Sequence, residues 1–194
     1  MKKKVILVAG APACGKTYVS QLIARALEHV VYLDKDDLRE LLAAAFRASG
    51  NPVDMDSDFY NNALRSAEYA TILQVAFSAL EFEDRVVLNA PFLAQVRDAR
   101  FMRAIKAKAN AMGAELLLVW VTVSEPVWYE RMKARNNSRD AGKLADWEGY
   151  AASVDLSAPR PLTEAAAVDG LFIFDNENEE AAACSLKEIV IRLR

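Results

Sequence analysis

The chain has 194 residues, 53% hydrophobic and 26% charged, which suits one globular domain with a sizeable core. A net charge of −3 at pH 7 excludes the global basic field that holds proteins non-specifically on nucleic acid, leaving room only for a local basic patch. The two cysteines, Cys14 and Cys184, are too few and too far apart for a disulfide framework, and the apolar run after Met1-Lys2-Lys3-Lys4 stops at Gly10-Ala11-Pro12, too short for export or a membrane span, so a cytoplasmic setting is expected.

The first predicted strand, Lys4 to Ala9, runs into Gly10-Ala11-Pro12-Ala13-Cys14-Gly15-Lys16-Thr17 and then into a predicted helix from Gly15 to Glu28. Strand, glycine-bounded loop and helix in that order make a complete Walker A motif. The loop turns successive backbone N–H groups inward, and the helix N-terminus adds partial positive charge, so Gly10, Ala11, Pro12, Ala13, Cys14 and Gly15 are candidate nucleotide-binding residues. Lys16 can reach the β and γ phosphates as a point charge, and Thr17 can offer its hydroxyl to Mg²⁺. The loop predicts binding of a nucleoside triphosphate.

A second predicted strand, Val30 to Asp34, ends in Asp34-Lys35-Asp36-Asp37-Leu38-Arg39-Glu40. Asp34 and Asp36 alternate on an extended backbone and project to the same side, with Arg39 one helical turn further on. A phosphotransferase needs such a set: a carboxylate to orient and deprotonate an attacking hydroxyl, and a guanidinium to hold an anionic group. The alternative is a charged turn in which Asp36 or Asp37 caps the next helix.

That helix is predicted from Leu38 to Ala48, followed by a long one from Phe59 to Leu80 whose start is suggested by Asp54, Asp56, Ser57 and Asp58. Strands at Arg85 to Asn89, Leu116 to Val123 and Leu171 to Asp175 alternate with helices at Ala94 to Met112, Val127 to Asn136 and Glu179 to Arg194. The alternation predicts an α/β fold with a parallel sheet covered by helices on both faces, one domain over residues 1–194. Ligands of such sheets sit beyond the carboxyl ends of the strands. After the fourth strand, Arg131, Arg135 and Arg139 recur at spacing four and align on one face if their helix continues. They suit either a closing lid that meets the charge of a transferring phosphoryl group or a solvated surface row.

The Walker A loop paired with Asp34-Lys35-Asp36-Asp37-Leu38-Arg39 resembles the small P-loop kinases of the polynucleotide 5′-hydroxyl kinase, zeta-toxin, gluconate kinase and shikimate kinase group, with the related AAA domain kinases. The resemblance implies a P-loop NTPase three-layer sandwich, its five-stranded parallel sheet ordered 2-3-1-4-5. It also implies ATP and Mg²⁺ as cofactors, a small-molecule or nucleotide acceptor, Asp36 as base, Arg39 as acceptor clamp, and a mobile lid at about residues 131–145. The group often carries an Asp at the end of the third strand, where this chain has Asn89. Asn89 can orient a water but brings no charge. Either Asp34 serves the metal in its place or the metal is held weakly, and Asn89 can also be a plain turn residue. The loop after the fifth strand, with Asn176 or Asn178, is implied to lie against the adenine.

An ATP-binding switch or ATPase is the competing class, as is a nucleoside or nucleotide kinase within the leading one; neutral Asn89 weighs against the switch. Other conspicuous residues have plainer readings. His29 is expected at a helix end, Trp120 in the core, and Cys14 is either a packing residue or a thiol activated by the helix N-terminus. Trp128, Trp147 and Tyr150 are candidates for an acceptor pocket.

Overall fold

A computed structural model describes residues 2–137, 140–157 and 168–194. Five parallel strands form one sheet, β1 (Lys3–Ala9), β2 (Val30–Asp34), β3 (Arg85–Asn89), β4 (Ala114–Thr122) and β5 (Gly170–Asp175), in the order β2-β3-β1-β4-β5. This is the order implied by the resemblance. The central strand β1 is buried on both faces from Val5 to Ala9 because its side chains alternate: Val5, Leu7 and Ala9 join one core, Ile6 and Val8 the other. Each fully buried valine, leucine or isoleucine among them contributes roughly 1.5–3 kcal/mol.

The helices are α1 (Lys16–Arg25), α2 (Arg39–Ala48), α3 (Arg65–Ala79), α4 (Ala99–Ala111), α5 (Glu125–Arg135), α6 (Ala141–Ala145), α7 (Trp147–Ser153) and α8 (Glu179–Leu193). The first core packs against α3 and α4, the second against α1, α5 and α8. Among the described residues no helix is long and apolar enough to cross a membrane.

Several predicted helices are interrupted, each for a local reason. The span expected from Phe59 starts α-helical but passes into a π-helical turn at Tyr60–Leu64 before α3, and the one expected from Ala94 opens as a 3₁₀ turn at Gln95–Arg97. There Asp98 breaks the run and caps α4, its carboxylate accepting from the N–H groups of Arg100 and Phe101. Helix α1 stops at Arg25, so His29 lies beyond the helix end, in the left-handed region at φ 50°, with its imidazole 3.8 Å from the Glu83 carboxylate. Helix α5 ends where Asn136 turns left-handed at φ 45°, which breaks the expected arginine row after Arg135. Arg139 lies outside the described residues.

Candidate active site

The strand ends, the Walker A loop and the start of α2 enclose a cleft of about 700 Å³. The loop is shaped by its glycines. Gly10 adopts φ 150° and a Cβ there would stand 2.7 Å from the Val121 carbonyl, while Gly15 sits at φ 92° directly against the Asn176 amide. Three long-range donors hold the loop's outward carbonyls. Trp128 Nε1 donates to the Pro12 carbonyl at 2.5 Å, Asn176 Nδ2 to that of Cys14 at 2.9 Å, and Arg131 Nη1 to the same Cys14 oxygen at 3.3 Å. With its carbonyls tied back, the loop turns its other side to the cleft, the geometry that leaves N–H groups available to an anion.

Lys16 lines the cleft, its ammonium donating to the Ala11 carbonyl at 2.6 Å. Burial pushes its pKa below the usual lysine range, and nearby Arg135 pushes the same way while Asp36 and Asp34 oppose. An anion in the cleft would give this ammonium the close ion pair that it does not make among the described residues. Thr17 follows Lys16 in the first turn of α1. The Asn89 amide donates to Thr17 Oγ1 at 3.0 Å and to Asp34 Oδ2 at 2.7 Å, gathering the two oxygens expected to serve a metal. Asp34 also accepts from the Asp36 N–H at 2.9 Å and the Tyr32 hydroxyl at 3.1 Å. Among the described residues no three His, Cys, Asp or Glu side chains could hold an ion together. The donor set fits Mg²⁺, which takes one or two protein oxygens and completes its shell with water and phosphate.

Because Asp34 caps the 3₁₀ turn Lys35–Leu38, neither Asp36 nor Asp37 is needed for that purpose. Asp36 instead projects into the cleft, its side chain 52% exposed, and pairs with Arg39 Nη2 at 2.6 Å. Sequence reasoning missed the wall behind them. Lys35 turns inward to Glu68 Oε1 at 2.6 Å, and the Tyr60 hydroxyl donates to Glu68 Oε2 at 2.5 Å. Burial, then the Glu68 contact, push the Tyr60 phenol far up, so it stays a neutral donor. The signal for this triad was the π-helical turn that aims Tyr60, a feature common at functional sites but invisible to hydrophobic periodicity.

Arg131 and Arg135 both line the cleft, yet each is engaged elsewhere. Arg131 spans from Cys14 to the Glu177 carbonyl, and Arg135 gives two hydrogen bonds, 2.8 and 2.6 Å, to one oxygen of fully buried Asp140. Lys143 reaches Asp56 at 3.5 Å across the mouth. Trp128, Trp147 and Tyr150 do not line the cleft: they pack edge-on or tilted against each other, and Trp147 against Tyr129, with ring centroids 4.6–5.9 Å apart. Nor do the asparagines after β5 offer free side chains to a base, since Asn176 braces the loop and Asn178 caps α8 by accepting from the Ala181 N–H. Cys14 is a packing residue, and burial pushes its thiol above its usual range instead of activating it.

A family model described as an AAA domain matches residues 5–156. No curated protein matches the sequence significantly. Among solved structures, a candidate kinase from Chloroflexus aurantiacus superposes with a TM-score of 0.69 at 20% identity, covering 100% of this chain and 98% of that one. A gluconokinase from Sinorhizobium meliloti gives 0.54 at 19% identity, with 98% and 95% covered. A shikimate kinase from Bacteroides thetaiotaomicron gives 0.53 at 16%, with 98% of each chain covered. At such identities the likeness is one of fold.

Proposed function

The chain belongs to the AAA domain family that its residues 5–156 match, with the fold of the P-loop kinases, and from that premise we propose that it is an ATP-dependent phosphotransferase acting on a hydroxyl of a small molecule or nucleotide in the cytoplasm. One observation carries the reading: Lys16 and Thr17 of the Walker A loop face Asp36 and Arg39 across a single cleft. The loop N–H groups and Lys16 bind the phosphates of ATP, and Arg131, which lines the cleft while bracing the loop, adds positive charge; Arg139, outside the described residues, is a candidate for the same role on its sequence alone. Thr17 and Asp34 would hold Mg²⁺, which when bound neutralises phosphate charge.

Asp36 orients the acceptor hydroxyl and takes its proton as the acceptor oxygen bonds to the γ-phosphorus and the bridging bond to ADP breaks. Arg39 holds an anionic group of the acceptor or of the transferring phosphoryl. Arg135, carried by a lid over residues 131–145, meets the charge that spreads over the phosphoryl oxygens in the transition state.

The test is a hydroxyl-acceptor library, sugars and nucleosides included, screened for ADP release with wild-type protein and Lys16→Ala. Acceptor-dependent ADP release is expected from wild type alone. Lys16→Ala should weaken ATP at least about 100-fold, equivalent to roughly 2.7 kcal/mol. Equal ATP affinity in the two proteins by calorimetry would refute the assignment, and ADP release that ignores every acceptor would make the chain an ATPase switch.

A further inference from the structure

The end of β3 carries an arrangement that the phosphotransfer reading leaves unused. The pairing register sets Asp34 of β2 directly beside Asn89 of β3. A carboxylate can only accept, so the amide facing Asp34 must present its NH₂ group. That single nitrogen reaches Asp34 Oδ2 at 2.7 Å and Thr17 Oγ1 at 3.0 Å. Asp34 is thereby fixed from three directions, by Asn89, by the Tyr32 hydroxyl and by the Asp36 N–H. Tyr32 is itself within 3.3 Å of Ser20 Oγ, and the hydrogen between those hydroxyls can sit on either oxygen.

The other half of the amide is unaccounted for. Asn89 is only 4% exposed, yet its Oδ1 has no hydrogen-bond partner among the described residues, although the residue lines the cleft. A buried acceptor left open costs about 1–3 kcal/mol. Its natural complement is a donor that arrives with a ligand, and water in the shell of a cation is such a donor.

We propose that Asn89 is a positioning residue that aligns the Asp34 carboxylate and the Thr17 hydroxyl for a divalent cation, so that the site requires one amide and one carboxylate at paired positions of β2 and β3. The inference rests on the reading of the cleft as an Mg²⁺-nucleotide site. A carboxylate at position 89 would not strengthen the metal site here. It would face Asp34 at hydrogen-bonding distance with like charge, withdraw the donor from Thr17, and turn Asp34 away from the turn it caps. Exchanging the two residues restores the pair with the charge unchanged. An amide at position 34 keeps an oxygen for the Asp36 N–H and offers its NH₂ to the new carboxylate, while the Tyr32 hydroxyl reverses to accept.

The experiment is calorimetric titration of ATP over a range of Mg²⁺ concentrations, with thermal unfolding of the nucleotide-free proteins measured alongside. Wild type tests the underlying reading: ATP binding that Mg²⁺ does not tighten removes the metal site itself. Given that tightening, Asn89→Asp and Asp34→Asn should each raise the Mg²⁺ concentration for half-maximal effect by at least about tenfold. The double variant Asp34→Asn with Asn89→Asp should return to within about threefold of wild type. The unfolding midpoint should fall in Asn89→Asp and recover in the double variant. Mg²⁺ dependence in Asn89→Asp equal to or tighter than wild type overturns the proposal, as does a double variant no better than the worse single one. Should Asn89→Asp fail to fold, Asn89→Ala removes the donor without adding charge; a raised Mg²⁺ requirement supports the proposal and an unchanged one overturns it.

Discussion

On the phosphate wall of the cleft, the carbonyls of Pro12 and Cys14 are held by Trp128, Arg131 and Asn176, side chains more than a hundred residues away in sequence. On the facing wall, Arg39 holds Asp36 three residues before it, and Lys143 reaches the exposed carboxylate of Asp56 at 3.5 Å. The first set is buried or half-buried and long-range, and through Trp128 it is tied to the second core. Exposed ion pairs of the second kind are worth about 0–1 kcal/mol each and rearrange readily. On the proposed reading, the contrast separates a preformed anion cradle from a rim free to reorganise around an acceptor, as catalysis by preorganised charge and an adjustable specificity wall requires.

Substitutions can break that comparison at graded points. The largest effect should come from Asp36→Asn, which keeps shape but removes the basic charge and lowers kcat roughly 10²- to 10⁴-fold. Since its side chain is half exposed, stability should stay within about 0.5 kcal/mol and ATP binding should survive. Steady-state kinetics beside urea unfolding checks both halves. A variant that keeps its kcat would remove Asp36 from the chemistry.

Arg135→Ala mixes the two walls, because its guanidinium is also the donor to buried Asp140. Leaving that buried carboxylate with only Lys143, 4.0 Å from its other oxygen, should cost up to roughly 3–5 kcal/mol of stability, and adding Asp140→Ala should recover most of it. Loss of kcat that persists in the stabilised double variant would tie Arg135 to the transition state. Full recovery of kcat would reduce the arginine to a structural role.

Trp128→Phe keeps the aromatic stack but deletes the hydrogen bond to Pro12, for an expected loss of about 1–3 kcal/mol. ATP affinity should weaken with it, because the cradle loses one of its three fixings. Undiminished ATP affinity would mean that the loop is held without that bond.

The smallest effect is a silence. Cys14 is buried and its thiol is held neutral at pH 8, so a thiol reagent should label one cysteine per native chain, exposed Cys184, and two only after denaturation. Because the folded-state pKa of Cys14 is raised, its contribution to stability is complete below the ordinary thiol range and is lost as pH climbs above it. Fast labelling of two thiols in native protein would show that the cradle opens.

How much of this was legible in the sequence follows from the range of each interaction. The strands could be read because buried parallel strands are continuous apolar runs, as Val5 to Ala9 and Leu116 to Val121 are. The Walker A loop and the cluster from Asp34 to Arg39 could be read because their chemistry lies within a few adjacent residues. The π-helical turn at Tyr60–Leu64 could not, since one extra residue in a turn leaves hydrophobic spacing almost unchanged. The bonds from Trp128 and Asn176 to the loop were equally hidden. Nothing local distinguishes a tryptophan that braces a carbonyl from one that lines a pocket, and only the fold brings residue 176 to residue 14. The two short helices α6 and α7 after Asp140 were missed because each is too short for a periodic signal to accumulate.

The fixing of α5 bears on how a lid could travel. Just before it, the Ser124 N–H and hydroxyl both donate to the Glu177 carboxylate; its first turn is held by Trp128 on Pro12, and its second by Arg131 on Cys14. Two turns of the helix are thus bolted to the cradle, and Arg135 stands only about 6 Å beyond the last bolt at 1.5 Å per residue. A helix hinged at its base would sweep its far end through many ångströms for a small tilt. This one has almost no lever arm, so the proposed lid would close by a short unwinding or swing of the turn after Arg131, the turn that carries Arg135 and that left-handed Asn136 already ends. Amide exchange should therefore divide along a single helix: slow to Arg131, fast from its last turn onward.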